Sequence, residues 1–153
     1  RVIESDEISQ QIIKNFIYCF QLYYKLQLEI SMNWKSFFKD FETYHIWGLC
    51  VTNKSYNYPQ KKRKYMAEYS NFIIGGSNEC GLNAMTISDM SGIPRATVVR
   101  KLKKLIKKKN LILDKKKRYH PTGFHMKEML VLQKNNIKKL AEFTTKIFNQ
   151  VEN

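Results

Sequence analysis

The stretch that decides the fold runs from Leu82 to Ile106 and reads Leu-Asn-Ala-Met-Thr-Ile-Ser-Asp-Met-Ser-Gly-Ile-Pro-Arg-Ala-Thr-Val-Val-Arg-Lys-Leu-Lys-Lys-Leu-Ile. Asn83 is a capping residue and predicts a short helix that closes at Ser91. Gly92 supplies the positive φ that a tight corner between two helices needs. Ile93 is expected to plug the angle between them, and small Ser88 lets them approach closely. Pro94 presets φ where its missing N–H does no harm, at the start of the next helix. In that helix Val98, Leu102 and Leu105 form an apolar seam, while Arg95, Thr97, Arg100, Lys101 and Lys104 fall largely on other faces.

Downstream, Leu111–Leu113 and Arg118–Pro121 read as two short strands around a charged tip, Asp114-Lys115-Lys116-Lys117. They predict a β-hairpin whose turn lacks glycine. Thr122 is a candidate cap for a last long helix. Together these residues resemble the winged helix-turn-helix of prokaryotic transcriptional regulators. Gly92-Ile93-Pro94-Arg95-Ala96-Thr97-Val98 with Arg100 is similar to the MarR and IclR type of recognition-helix entry. Helices before and a long helix after match MarR-like rather than IclR-like order, since the IclR-like reading head comes first. The resemblance covers residues 80 to 125, and Asn110 stands where a glycine usually ends the recognition helix.

The resemblance implies a mainly α fold: a winged helix-turn-helix with a small hairpin wing, flanked by N-terminal helices and a long C-terminal helix. It also implies that the second helix enters the major groove of duplex DNA and that the wing touches backbone or minor groove. Arg95, Thr97, Arg100 and Lys101 are then the candidates for base edges and nearby phosphates, with Pro94 and Ala96 completing the helix entry. Arginine can read guanine bidentately. Lys104, Lys115, Lys116, Lys117 and Arg118 are candidates for phosphate, which positions a protein without specifying sequence.

The charge distribution points the same way. The 153 residues hold 27 Lys+Arg against 13 Asp+Glu, a formal +14. Between Arg95 and Arg118 twelve basic residues face a single acid, Asp114, so 24 residues carry most of the excess. Lys61-Lys62-Arg63-Lys64 forms a smaller cluster. Charge of one sign gathered on one segment attracts polyanions and speeds their encounter.

Toward the N-terminus, Ser5 is a candidate cap and Ile8, Ile12, Phe16, Phe20 and Tyr23 trace one face of a helix running to about Glu29. Ser31 or Asn33 is expected to cap a second helix carrying Trp34, Phe37, Phe38, Phe41 and Tyr44, which fades near Gly48 to Thr52. A loop is expected over Asn53–Pro59, a third helix over Lys61–Ile74, and a linker over residues 75–78. Residues 16 to 47 hold eleven of the aromatic residues. They read as a helix–helix core or dimer interface, with a pocket for a small planar apolar effector as the alternative. In the last helix, Leu130, Ile137, Thr144 and Val151 form one heptad-like series and Met126, Gln133, Leu140 and Ile147 another, with Phe143 and Phe148 beside them. An apolar surface that broad predicts a homodimer built from the first and last helices. The expected organisation is thus residues 1–76 as a helical dimerisation and effector segment, 77–122 as the DNA-binding domain, and 123–153 as a dimerisation helix.

Other classes fit poorly. The longest apolar run, Ile46–Val51, is far too short to span a membrane. No basic and apolar leader opens the chain, and Cys19, Cys50 and Cys80 have neither disulfide nor metal spacing, so a reducing cytoplasm is expected. His45, His120 and His125 are scattered and read as surface or capping residues. Asp40 and Glu42 sit two apart, which on one helix turns them to different sides, unlike an acid/base pair. No catalytic, cofactor or metal site is therefore expected. The competing reading is a winged helix that holds RNA or DNA without reading sequence, or that binds another protein.

Overall fold

The computed structural model describes residues 2–56 and 80–152. Its elements are α1 (Ser5–Lys14), α2 (Phe16–Phe38), α3 (Phe41–Tyr56), α4 (Ala84–Ser91), α5 (Arg95–Lys107), β1 (Leu111–Leu113), β2 (Tyr119–Pro121) and α6 (Met126–Glu152). The architecture is mainly helical with a small two-stranded antiparallel sheet. The helix expected at Lys61–Ile74, the linker at 75–78 and the basic cluster at 61–64 lie outside the described residues. No described helix is long and apolar enough to cross a membrane.

The chain divides into two compact units, Lys35–Glu128 and the pair of segments 1–34 and 129–153. In the first, α3 packs against α4, α5 and β2, and α5 packs against α4 and β1. The predicted seam is the centre of this packing: Val98, Leu102 and Leu105 are fully buried beside Ile46, Trp47 and Ile87. The hairpin pairs Leu111 with Pro121, Ile112 with His120 and Leu113 with Tyr119. Leu82 adds an antiparallel bridge to the free edge of β2 through Tyr119. That bridge runs close because residue 81 is glycine: a Cβ there would stand 2.6 Å from the His120 ring and 2.7 Å from the Arg118 Cβ.

In the other unit the paired contacts run antiparallel along α2 and α6. Asn33 Nδ2 donates to Asn136 Oδ1 at 3.0 Å, and Lys139 Nζ lies 3.5 Å from Glu29. Further along, Ile12, Cys19, Phe20, Tyr23, Phe143 and Ile147 enclose an apolar cavity of about 220 Å³. Few side chains are buried in this unit, and α1 buries none.

Several helix boundaries differ from expectation, each for a local reason. The first helix breaks at Asn15, whose backbone N–H and side-chain amide both donate to the Gln11 carbonyl. Asparagine's ability to satisfy backbone groups with its own side chain favours such breaks. Ser5 is the first helical residue rather than the cap, and the preceding Glu4 makes no side-chain cap bond. Neither Ser31 nor Asn33 starts a helix, because α2 continues to Phe38. The chain turns instead at Lys39, in the left-handed region at φ 74°, and Asp40 caps α3 by accepting from the Thr43 N–H at 2.7 Å. α3 does not fade at Gly48 but runs to Tyr56, so the loop expected from Asn53 starts no earlier than residue 57. Thr122 is not the cap of the last helix. Its hydroxyl bonds the Lys109 carbonyl, and α6 begins at Met126.

Candidate nucleic-acid interface

The corner that presents α5 is built from local hydrogen bonds. Asn83 Oδ1 accepts from the Thr86 N–H at 2.9 Å and caps α4. Gly92 takes φ 71°, and its N–H donates to the Ser88 carbonyl at 2.9 Å. The Ser88 hydroxyl then donates to the Ile93 carbonyl at 2.7 Å, tying the corner to the helix it leaves. Pro94 is the N-cap of α5 rather than its first helical residue, at φ −54° and with no side-chain cap bond to give. The first N–H groups of α5 are thus available to an oxyanion, with the positive end of the helix dipole behind them.

At the far end the left-handed residue is Lys109, φ 63°, one position before the expected Asn110. Lys109 N–H donates to the Ile106 carbonyl and Asn110 N–H to the Leu105 carbonyl, both at 2.9 Å, which is the Schellman pattern. Asn110 itself is buried, and Leu111 after it enters the core.

The candidate contact residues separate into two groups. Pro94, Arg95, Ala96 and Arg100 are exposed, Thr97 is half-buried, and neither arginine has an ion pair among the described residues. Lys101 and Lys104 are differently placed. Lys101 Nζ stands 3.0 Å from Asp40 and 3.9 Å from Glu42, and its side chain is only 12% exposed; Lys104 Nζ lies 3.5 Å from Asp40. Partial burial opposes ionisation of Asp40. The amide and hydroxyl of Thr43, and then Lys101, outweigh that effect and hold its carboxyl well below the usual range. Asp40 and Glu42 thus converge on one lysine because Asp40 stands off the helix as its cap.

The hairpin tip carries Lys115, Lys116 and Lys117, all exposed. Lacking glycine, it puts Lys117 itself at φ 59°. Asp114 makes that conformation tenable: its Oδ1 accepts from the Lys116 N–H at 2.8 Å and the Arg118 N–H at 2.9 Å. Its Oδ2 lies 3.1 Å from Arg118 Nε and 2.8 Å from His120 Nε2. Arg118 is therefore held against the hairpin while the three lysines project. The hydrogen bond with His120, and then the Arg118 backbone, keep the Asp114 carboxyl well below its ordinary value.

His120 is not a surface residue: it is 4% exposed and its Nδ1 faces Lys54 Nζ at 3.5 Å. With Nε2–H given to Asp114, Nδ1 is the acceptor for the buried Lys54, whose pKa is lowered by burial. The line Lys54–His120–Asp114–Arg118 fastens the hairpin to α3. Burial likewise pushes the Cys50 thiol up to about 12, leaving it a neutral core side chain. His125 does act as a cap, with Nε2 2.7 Å from the Lys108 carbonyl and Nδ1 2.9 Å from Glu128. Among the described residues no three His, Cys, Asp or Glu side chains gather as a metal site.

Sequence reading missed the anchoring roles of Asp40, Lys54 and Gly81. Only Asp114 left a signal, as the single acid in the basic segment. Compared with family models, curated proteins and solved structures, the chain matches none of them.

Proposed function

We propose that the protein is a sequence-specific transcriptional regulator that binds duplex DNA. In this reading α4, the Gly92 corner and α5 form a helix-turn-helix, and β1–β2 with the Leu82 bridge form its wing. The observation that carries it is the placement of Arg95 and Arg100: both are exposed and have no ion pair among the described residues. Arg100 is on the side opposite the wholly buried Val98, Leu102 and Leu105, and Arg95 is in the open first turn, in line with that seam. A rigid helix presenting arginines outward, with an uncapped N-terminus for a phosphate, suits a major groove. The wing lysines Lys115–Lys117 supply phosphate contacts, and two copies would set two heads on half-sites ~34–36 Å apart. Lys101 and Lys104 serve first as partners of Asp40 in this reading.

Selection of bound sites from random duplex DNA at fixed salt tests it. A regulator prefers its site over random duplex by ~10³-fold or more at physiological salt. Arg95→Ala and Arg100→Ala should relax preference at particular base pairs. Lys116→Ala should weaken every sequence alike and flatten the salt dependence by about one unit. Equal behaviour of all three variants on every duplex would instead favour a module that holds nucleic acid without reading it.

A further inference from the structure

A groove of about 590 Å³ runs along one side of α6, lined chiefly by Ile137, Leu140, Ala141, Thr144, Thr145 and Phe148. All six are exposed, the three large ones at 46–50%. The other side of the same helix is occupied: Phe143 and Ile147 line the cavity shared with Cys19 and Phe20, and Lys139 holds Glu29. α6 therefore has one side packed within its unit and one apolar side without a partner among the described residues.

We propose that this free side joins two copies of the chain through an antiparallel seam centred between Glu142 and Phe143. The order of side chains suits a two-fold axis at that point, where each contact is made twice. Ile137 then lies opposite the second copy's Phe148, Leu140 opposite Thr145, and Ala141 opposite Thr144. Small residues stand at the crossing, where the helix axes come closest, and large ones stand at both ends. Helix pairs pack best when such knobs meet such gaps. A parallel pairing would set Phe148 on Phe148, Ala141 on Ala141, and Lys134 and Lys138 each against its own copy. The antiparallel one places Lys138 level with apolar Ile147. Lys139 would be level with Lys146, but it is engaged by Glu29 on the other side.

Area supports the same occupant. The described residues of this unit expose thirteen large apolar side chains, among them Ile13 at 71%, Ile17 at 69%, Leu28 at 63% and Val131 at 68%. Only three of them, Ile137, Leu140 and Phe148, line the groove. It is the unit as a whole, not the groove alone, that exposes apolar area on the order of the ~800 Å² per partner of a stable interface. The seam supplies its two-fold centre. This names the partner in the DNA-binding reading, but its evidence lies in the unit without the candidate DNA contacts and its test needs no DNA.

The test uses the full chain with Cys80→Ser, Cys19 and Cys50 being buried. Ala141→Cys and Thr144→Cys chains, one of them isotope-labelled, are mixed in equal amounts, oxidised mildly and weighed by mass spectrometry. The seam predicts that the mixed 141–144 disulfide forms at least tenfold faster than either like-with-like product. Dominant like-with-like products, or none, overturn it. Light scattering gives the second arm: Leu140→Lys should raise the dimer dissociation constant at least 100-fold while the far-ultraviolet helix signal stays unchanged. A parent protein that is monomeric at micromolar concentration, or a variant that dimerises as well as the parent, also overturns the proposal. Arg100→Ala should leave dimerisation untouched, so loss of DNA reading and loss of the seam are separately visible.

Discussion

Arg100 and Lys101 are adjacent in sequence and alike in charge, yet the fold treats them in opposite ways. Arg100 stands in solvent without an ion pair among the described residues, whereas Lys101 is nearly covered and bound to Asp40 and Glu42. The step of about 100° from one helical residue to the next turns one away from the core and the other toward α3. A count of positive charge along α5 therefore overstates what a nucleic acid can reach. Half of what reads as a binding face is structural, because an acid from another helix has claimed it.

Variants that separate the two faces should produce graded effects. The largest belongs to the inward side: Leu102→Ala should cost ~3 kcal/mol of unfolding free energy in urea titrations, since it empties a fully buried site. The remaining folded protein should bind DNA as before. Asp40→Ala should cost about 2 kcal/mol, because it removes both the α3 cap and the counter-charge of a nearly buried lysine. Its pH dependence has a definite sign. A carboxyl held below its unfolded value of ~3.9 contributes fully above that pH, and the contribution is lost as pH falls below it. Asp40→Asn keeps a capping side chain and should remove that acid sensitivity.

Gly92→Ala should cost about 1 kcal/mol, through its left-handed backbone alone, since a Cβ there meets nothing within 4 Å. The finest contrast is Lys101→Ala against Arg100→Ala. The first should lower stability by ~1 kcal/mol and leave the DNA salt dependence unchanged. The second should leave stability within ~0.5 kcal/mol and lose sequence preference. If Lys101→Ala changes the salt dependence as strongly as Arg100→Ala, the division of α5 into a tethered and a free side fails.

The two units extend the contrast. Among the described residues Lys35–Glu128 buries ten hydrophobic side chains and exposes six large ones, whereas the other unit buries three and exposes thirteen. The same pattern of apolar residues every three or four positions thus ends in two states. In one the covering surface lies within the unit, and in the other a second chain is the cover we propose.

Much of this was already legible between Leu82 and Pro121. Asn83, Gly92 and Pro94 fix a cap, a corner and a helix start through bonds spanning a few residues, and the spacing of Val98, Leu102 and Leu105 marks the buried side whatever it packs against. The strand limits near Leu111–Leu113 and Tyr119–Pro121 are legible for the same reason. Three things depended on residues far apart in the chain and emerged only from the folded molecule. Asp40 neutralises Lys101 and Lys104 across 61 and 64 positions, Lys54 anchors the hairpin through His120, and Gly81 clears space for the same histidine. Periodicity tells which way a side chain points along its own helix, but which group waits there is settled by packing.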